Sequence, residues 1–302
     1  MTARRILMLV FNQVGKGTYW RAFHFACQLV RRGHSVTIVA MARERRFRGR
    51  ERIVDGVRLV ESPDLLWGPL RSGWDVWEAL WRCQWTARQA FDLAHAFECR
   101  PTVLIPALYV KKTRHIPLVI DWCDWFGQGG SVEERPNPLL RAGLRPVETF
   151  FEEHFRTRAD ATTVICTTLY AKAVALGVPP ATIFSIHDGA DVEGLYPQDR
   201  HEARRALGLP DGALIIGYVG AIFPRDAQLM ACAFDRIRSA QPHARLLLIG
   251  YVNAQVEQLV AAPRSSAHVP THYQLHGHTL VVQHAAFTRR AKASLRAARC
   301  LM

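Results

Sequence analysis

The sequence predicts an α/β fold built from two Rossmann-like domains, of which the second is incomplete. Three observations support this prediction. A strand, a loop, a helix, a glycine and a second strand follow one another within residues 5–40, strands and helices then alternate as far as residue 186, and the alternation restarts at residue 214. A strand–helix–strand unit makes a right-handed crossover and a parallel sheet. Repeated units of this kind predict a doubly wound sheet, whose ligands bind beyond the carboxyl ends of its strands.

The first strand–helix–strand unit has the clearest pattern. Residues 5–11 form a short, continuous apolar run, which is typical of a parallel strand buried on both faces. Apolar residues recur at helical spacing over residues 19–32, and Gly33 follows where a helix end favours a residue with positive φ. Residues 35–40 are then predicted to form the second strand.

The same criteria predict the later elements and the domain boundaries. Strands are expected at residues 57–60, 92–96, 102–106, 117–121, 162–166, 183–186, 214–219 and 245–249, and helices at residues 72–90, 146–157, 168–176, 200–207 and 227–239. We therefore expect an N-terminal domain over residues 1–187, a linker over residues 188–212, the start of a C-terminal domain over residues 213–260 and an atypical basic tail over residues 261–302.

Composition restricts the class of protein. With 302 residues, 49% hydrophobic and 22% charged, the chain resembles globular proteins rather than disordered, collagen-like or coiled-coil proteins. No apolar run reaches the roughly 18 residues of a membrane-spanning helix, and the start lacks the cleavage signal of a secreted protein. The seven cysteines form no Cys-x-x-Cys pair, so neither a disulfide framework nor a zinc site is indicated. We expect a cytoplasmic protein.

The net charge of +13 is concentrated in two regions. From Arg264 onward there are six Arg or Lys residues and no Asp or Glu. The second region, the arginine cluster, consists of Arg43, Arg45, Arg46, Arg48, Arg50 and Arg52. This cluster either meets anionic lipid head groups or phosphates, each arginine near a membrane adding about 1 kcal/mol, or forms a solvated loop. No nucleic-acid-reading motif accompanies the charge, so we expect no nucleic-acid partner.

Four tryptophans recur at helical spacing near the arginine cluster. They are Trp74, Trp77, Trp81 and Trp85, and their spacing predicts one face of a helix. Such a face either packs against the core or, together with the arginines, enters the interface of a bilayer. The second alternative would make the protein peripheral on the inner face of the membrane.

A glycine loop follows the first predicted strand. Its residues are Gly15, Lys16, Gly17 and Thr18. Backbone N–H groups at such a strand-to-helix junction can approach a phosphate or a sugar hydroxyl, and the helix N-terminus adds partial positive charge. The alternative is a tight turn with a solvent-facing lysine. The loop lacks the third glycine of a dinucleotide fingerprint and the Gly-Lys-Thr order of a Walker loop, which weakens the dehydrogenase and NTPase interpretations.

Three polar residues lie where predicted strands end in the same crevice. Asp121 and Asp124 are near the end of one strand, and His95 lies on another. Carboxylates at this edge could hold sugar hydroxyls, or they could cap the loop that follows. His95 is either a ligand-binding residue or a buried, satisfied histidine.

In order and spacing, these residues resemble the family 4 glycosyltransferases, which are retaining enzymes of GT-B fold. The matching segments lie within about residues 4–250 and are Gly15–Thr18, Asp92–Ala96, Ile120–Asp124, Ile186–Asp191 and Gly217–Gly220. The resemblance implies a hexosyltransferase that moves a sugar from a nucleotide diphosphate sugar to a hydroxyl acceptor with retention, on a lipid-linked or polysaccharide precursor. The N-terminal domain would bind the acceptor and the C-terminal domain the nucleotide sugar, with neither cofactor nor metal.

The resemblance also implies roles for particular residues. Asp121 and Asp124 would be the catalytic carboxylates, and Cys123 stands where the family often carries a histidine. The substrate-binding residues would be Gly15, Lys16, Gly17, Thr18, His95, Gly220 and Arg225.

The spacing of His272, His276 and His278 would suit a metal on a helix, but no cysteine or carboxylate lies near them.

Two features depart from the family pattern. The first strand of the second domain is followed by residues 221–226, in which Arg225 is the only cation, and no acidic residue follows Glu257, so the family's two donor-binding glutamates are missing. A complete second domain needs on the order of 150 residues. We therefore expect a shortened chain with a degenerate or frame-altered tail. The alternative function is an inactive glycosyltransferase remnant that binds a membrane or a partner.

Overall fold

The computed structural model describes residues 2–135, 137–189, 197–219, 224–249, 271–276 and 279–284. It divides the chain into an N-terminal unit, Met1–Gly189, and a C-terminal unit, Ala190–Met302. The strands of the N-terminal unit are β1 (Arg5–Gln13), β2 (Ser35–Met41), β3 (Arg50–Val54), β4 (Val57–Ser62), β5 (Leu93–Phe97), β6 (Leu118–Trp122), β7 (Ala161–Val164) and β8 (Ile183–Ser185). Its helices are α1 (Thr18–Arg31), α2 (Val76–Ala87), α3 (Pro101–Arg114), α4 (Pro138–His154) and α5 (Thr167–Ala175).

One sheet contains all of these strands, in the order β3-β4-β2-β1-β5-β6-β7-β8. Neighbouring strands are parallel except for β3 and β4, which are antiparallel. The chain moves outward from β1 through β2 and β4, and later through β5 to β8 on the other side. The predicted doubly wound α/β sheet is confirmed. Because the winding direction reverses beside β1, the carboxyl edge between β1 and β5 is the expected ligand crevice.

Strand β1 is buried on both faces, which explains its continuous apolar run. Leu7 and Leu9 belong to a core cluster that residues of α3 complete. Ile6 and Met8 belong to a second cluster, on the opposite face, that residues of α1 complete. Each fully buried side chain of this size contributes about 1.5–3 kcal/mol to folding. The two clusters hold helices on both faces of the sheet.

The strand predicted at residues 102–106 is wrong, because these residues lie inside helix α3. Pro101 occupies the first turn of this helix, where its missing N–H costs nothing. Val103, Ala107 and Val110 are buried at helical spacing. A short apolar run of this kind does not distinguish a buried strand from a buried helix.

Two other elements differ from their predictions. Strand β3 was not predicted, since its five residues are mostly exposed and carry charge; it pairs with β4 through a turn at Asp55 and Gly56. Helix α4 begins at Pro138, earlier than predicted, because the Asn137 side chain accepts hydrogen bonds from the N–H groups of Leu139 and Leu140. Pro146 lies inside the same helix.

The four tryptophans do not share one helical face. Trp74 precedes helix α2, which begins after the capping residue Asp75. Trp81 and Trp85 stack on each other, with ring centroids 6.4 Å apart, and pack against the first core cluster. Trp77 is 48% exposed. Core packing therefore describes two of the four residues.

The described elements of the C-terminal unit are α6 (Arg200–Ala206), β9 (Ile215–Val219), α7 (Pro224–Ala240), β10 (Arg245–Ile249), β11 (Thr271–His276) and β12 (Thr279–His284). The strands pair in the order β11-β12-β10-β9. Strands β9 and β10 are parallel, whereas β12 is antiparallel to both β10 and β11. The predicted restart of the α/β pattern after the turn-rich stretch corresponds to β9, α7 and β10.

Strands β11 and β12 lie within residues 261–302, the stretch expected to be an atypical tail. Its alternation is weak, and no strand was predicted there. Because His272 and His276 lie on strand β11, the interpretation of these histidines as metal ligands on a helix is wrong. His278 lies outside the described residues. None of the described helices is both long enough and apolar enough to span a membrane.

Candidate functional site

The N-terminus of α1 and the carboxyl end of β6 meet in the crevice at the edge of the N-terminal sheet. The Cys123 thiol, just beyond β6, lies 3.9 Å from the Thr18 hydroxyl at the start of α1. The segment after β8 also reaches this point, because Asp188 pairs with Arg21 of α1. Three segments far apart in sequence therefore converge where an open α/β sheet places its ligand.

The glycine loop needs glycine for two reasons. Gly15 has φ +83° and Gly17 has φ +52°, conformations that residues with a Cβ seldom adopt. A Cβ on Gly17 would also lie 2.9 Å from the Asn12 side chain. That side chain is itself required, because its Oδ1 accepts a hydrogen bond from the N–H of Thr18 at 3.0 Å.

The hydrogen bonds of this loop show which donors are left for a ligand. The N–H groups of Lys16 and Thr18 donate to Gln13 and Asn12 within the loop. The N–H groups of Gly15 and Gly17 donate to no acceptor in the part of the chain that the structure describes. Lys16 is exposed. Two backbone donors and one ammonium group can therefore meet an anionic group at the start of α1.

Arg21 of α1 connects the segments that converge at the crevice. Its Nε and one terminal nitrogen donate to both oxygens of Asp121, at 2.8 and 3.0 Å, and its other terminal nitrogen donates to Asp188 at 2.7 Å. It also donates to the carbonyl of Ile186. The Arg21 side chain is 5% exposed and that of Asp121 is fully buried. Sequence reasoning missed Arg21, whose only signal is a charge on the otherwise buried face of α1.

Asp121 and Asp124, the two predicted catalytic carboxylates, have different surroundings. Both oxygens of Asp121 accept hydrogen bonds from Arg21, and Asp121 also accepts one from the Thr163 hydroxyl. Asp124 is exposed, and its pKa is raised, first by partial desolvation in the crevice and then by the nearby carboxylate of Asp188. Asp124 is therefore available to a ligand, whereas Asp121 has the contacts of a residue that positions Arg21.

Glu98, at the end of β5, is a buried carboxylate that sequence reasoning missed. Its Oε1 accepts hydrogen bonds from the N–H groups of Cys123 at 2.7 Å and Asp124 at 2.9 Å. Its Oε2 accepts one from Arg156 at 3.1 Å. Burial raises the pKa of Glu98 to about 7, although Arg156 and the two N–H groups favour the charged form. The sequence signal was an acidic residue directly after a buried strand.

The loop after β6 is held by a second buried carboxylate. Glu152 of α4 accepts hydrogen bonds from the indole of Trp122 at 3.1 Å and from the N–H groups of Phe126 at 2.9 Å and Gly127 at 2.6 Å. The N–H of Gln128 donates to another side chain of α4. The loop that follows Asp124 is therefore tied to α4 through its backbone.

His95 lies on β5 beneath this site. Its ring stacks on Phe97, with centroids 4.3 Å apart, and its Nε2 has no hydrogen-bond partner among the described residues. Burial lowers the pKa of His95 to about 4, so the ring is neutral at neutral pH. These are the contacts of a buried histidine, and its role as a substrate ligand stays a prediction.

The remaining predicted residues belong to the C-terminal unit. Gly220 lies outside the described residues, and for Arg225 the structure describes the backbone, within helix α7, but not the side chain. Ligand atoms of Glu98, Cys123 and Asp124 lie within 4.8 Å of one another and could hold a cation. Burial and the neighbouring carboxylates raise the pKa of the Cys123 thiol, which opposes the thiolate that a metal would need.

Known proteins share both the sequence and the fold. D-inositol 3-phosphate glycosyltransferase of Mycobacterium tuberculosis is 31% identical over 106 residues, which cover 35% of this chain and 22% of that protein. Sucrose-phosphate synthase of Thermosynechococcus elongatus matches with a TM-score of 0.58 at 16% identity, over 83% of this chain and 63% of that one. The Anabaena protein HepE, solved in complex with UDP-glucose, matches with a TM-score of 0.52 at 14% identity, over 82% and 60%.

The chain thus spans less than two thirds of each of these proteins. The structural matches support the GT-B type of fold that the resemblance implied. Residues 16–189, which include Lys16 to Thr18 of the glycine loop, both aspartates and Glu98, match the family described as the glycosyl transferase 4-like domain. This chain belongs to the glycosyl transferase 4-like family.

Proposed function

We propose that this protein transfers a hexose from a nucleotide diphosphate sugar to a hydroxyl acceptor, with retention. One observation carries the proposal: the free donors of the glycine loop and the exposed carboxylate of Asp124 line the same crevice, which Cys123 and Thr18 connect at 3.9 Å. Donors and a carboxylate side by side suit a substrate that bears both a phosphate and hydroxyl groups. The family match supports sugar transfer as the reaction.

Each residue of the site would have a distinct role. Lys16, with the N–H groups of Gly15 and Gly17, would bind a phosphate of the acceptor or the leaving group. Asp124 would accept a hydrogen bond from a sugar hydroxyl, and its raised pKa would suit it to taking up the proton of that hydroxyl. Asp121 would act through Arg21. Charge on the leaving diphosphate would be stabilised by fixed positive donors, to which Arg225 would belong.

Two of the similar proteins support this assignment of ligands. The mycobacterial relative is named for inositol 3-phosphate, which carries both the hydroxyls and the phosphate that the crevice could bind. HepE was solved with UDP-glucose. Both point to an anionic substrate.

The test is calorimetric titration of the full chain with UDP, GDP, ADP and their glucose conjugates, together with an assay of donor hydrolysis. We expect micromolar binding of one nucleotide and slow hydrolysis of its sugar, with the hydrolysis reduced in the Asp124→Asn variant. Donor binding without hydrolysis of any of these sugars, or no binding by the folded chain, would contradict the proposal. It would favour the alternative of a chain that binds a membrane or a partner without turnover.

We further propose that the acceptor is lipid-linked and that the arginine cluster meets an anionic membrane surface. Arg43, Arg45 and Arg48 are exposed in the loop between β2 and β3. Phe47 beside them is 67% exposed, and Trp67 is 63% exposed. The guanidinium of Arg45 lies over both rings, 4.9 and 6.0 Å from their centroids.

Helix α2 extends this surface in an unusual way. Val76, Trp77 and Leu80 are exposed, whereas Glu78 and Arg82 of the same helix are fully buried as an ion pair of 2.6 Å. The helix therefore exposes apolar side chains to solvent and buries its charged side chains. Exposed aromatic and aliphatic groups flanked by arginines are typical of proteins that bind at a membrane interface.

Sedimentation with vesicles tests this membrane surface. Because each arginine near an anionic membrane contributes about 1 kcal/mol, the variant with Arg43, Arg45 and Arg48 changed to Ser should bind phosphatidylserine vesicles about a hundredfold more weakly. The matched control changes Arg4, Arg31 and Arg32, which are exposed elsewhere, to Ser. Equal losses in the two variants, or no binding by the wild type, would contradict the proposed surface.

A further inference from the structure

We propose that Glu98 is a positioning residue: it fixes the place of Asp124 in the crevice by binding the backbone of the segment that carries it. The value of this position to catalysis rests on the proposed function, whereas the position itself does not. The inference starts from three features of Glu98, namely its backbone conformation, its burial and its partners.

The backbone of Glu98 is in an unusual conformation. Its φ is +73°, in the left-handed region that residues other than glycine seldom occupy. Such a conformation costs energy and persists where the surrounding contacts require it. The N–H of Glu98 donates to the carbonyl of Asp121 at 3.2 Å, which joins the end of β5 to the end of β6. The turn thus directs the Glu98 side chain under the loop that follows β6.

The carboxylate is fully buried, and both of its oxygens are used. Oε1 binds two successive N–H groups, those of Cys123 and Asp124. Oε2 binds Arg156, which is itself fully buried and also donates to the carbonyl of Asp121 at 3.0 Å. The segment from Asp121 to Asp124 is therefore held from both its carbonyl and its N–H side.

Two carboxylates divide the loop between them. Glu98 binds the N–H groups of Cys123 and Asp124, whereas Glu152 binds those of Phe126 and Gly127. Asp124 therefore depends on Glu98 and not on Glu152 for its backbone contact. This division predicts that the two halves of the loop can be released separately.

Two conservative variants separate the reach of Glu98 from its charge. Glu98→Asp keeps the charge that Arg156 needs but withdraws the carboxylate by one methylene group, and aspartate tolerates the left-handed conformation better than most residues. Glu98→Gln keeps an oxygen at the reach of Oε1 and removes the charge. If Glu98 acts by holding the loop, the length of its side chain determines whether the loop stays in place. If it merely neutralises Arg156, its charge determines this.

Amide hydrogen exchange, followed by NMR on the full chain without ligand, distinguishes these cases. We expect Glu98→Asp to accelerate exchange at Cys123 and Asp124 by about tenfold or more, while Phe126 and Gly127 stay near wild type. Glu98→Gln should keep all four protected. The matched control, Glu152→Asp, should release Phe126 and Gly127 instead. Release by Glu98→Gln with protection in Glu98→Asp, or uniform behaviour of the four amides, would overturn the proposal.

A double-variant cycle tests the consequence for activity, with UDP-glucose hydrolysis as the readout. Asp124→Ala and Glu98→Asp should each slow hydrolysis by about tenfold, and the double variant should be no slower than Asp124→Ala alone, because one residue acts through the other. Additive losses would overturn the coupling. A wild-type chain that hydrolyses none of the glucose conjugates of UDP, GDP and ADP would refute the proposed function, and the exchange experiment would still decide the positioning role.

Discussion

Each edge of the N-terminal sheet has an arginine–aspartate ion pair. The pair at the amino edge is partly exposed, whereas the pair at the carboxyl edge is buried. At the amino edge, Arg5 donates to both oxygens of Asp92, at 3.2 and 2.7 Å. At the carboxyl edge, Arg21 donates to both oxygens of Asp121, at 2.8 and 3.0 Å. The side chains of the first pair are 54% and 26% exposed, and those of the second are 5% and 0% exposed.

The two pairs show that hydrogen-bond geometry alone does not determine how much an ion pair contributes to stability. Water around Arg5 and Asp92 competes with their attraction, so the pair contributes little to stability. Arg21 and Asp121 have lost that water, and each depends on the other to avoid a buried, unpaired charge. Buried charge of this kind is expensive, and this pair lies at the edge that contains the candidate site.

The largest expected effect comes from breaking the two pairs in parallel. Arg21→Met should lower the free energy of unfolding by about 3–5 kcal/mol, because it leaves the buried Asp121 carboxylate without its partner. Arg5→Met, the matched control, should change it little. Urea denaturation of both variants measures the difference. Similar losses would mean that burial does not distinguish the two edges.

The second prediction uses pH to compare a buried with an accessible histidine. The pKa of His95 is lowered to about 4 by burial, against 6.5 in the unfolded chain, so the unfolded state binds more protons between these values. His95 therefore costs no stability above pH 6.5, where it is neutral in both states, and stability is lost as the pH falls towards 4, by up to about 1.4 kcal/mol per pH unit.

Denaturation between pH 4 and pH 7 checks this dependence. The His95→Gln variant should lose this part of the slope relative to the wild type. The His34→Gln variant, changed at the amino edge where His34 accepts a hydrogen bond from the Arg4 N–H, should keep it. A wild-type slope in His95→Gln would show that His95 is not the group responsible.

The smallest expected effect comes from changing Lys16, a residue of the crevice. Lys16→Ala should weaken binding of the nucleotide found by titration, or of inorganic phosphate, by about tenfold, since one charge-assisted contact is removed. It should leave the free energy of unfolding unchanged because Lys16 is exposed. Lys112→Ala, at the exposed end of α3, should change neither quantity. A stability loss without an affinity loss would make Lys16 a structural residue.

Sequence patterns predicted the parts of the site that lie close together along the chain. The glycine loop at the start of α1 and the carboxylates at the end of β6 follow from the alternation of strands and helices. The patterns failed where local signals were ambiguous: residues 102–106 have the apolar character of a strand but form part of α3, and β3 has an exposed, charged sequence. They also did not single out Glu98, whose position directly after a buried strand was its only local signal.

The sequence by itself determined the doubly wound topology, because apolar periodicity and glycine placement act on neighbouring residues and are readable in order. The tertiary structure alone decided which charges are buried together. Arg21 and Asp121 are 100 residues apart, and Arg156 and Glu98 are 58 apart. Their pairing depends on which strands become neighbours in the sheet. Since water screens a charge until packing excludes it, that packing determines which carboxylates hold the fold and which remain open to solvent.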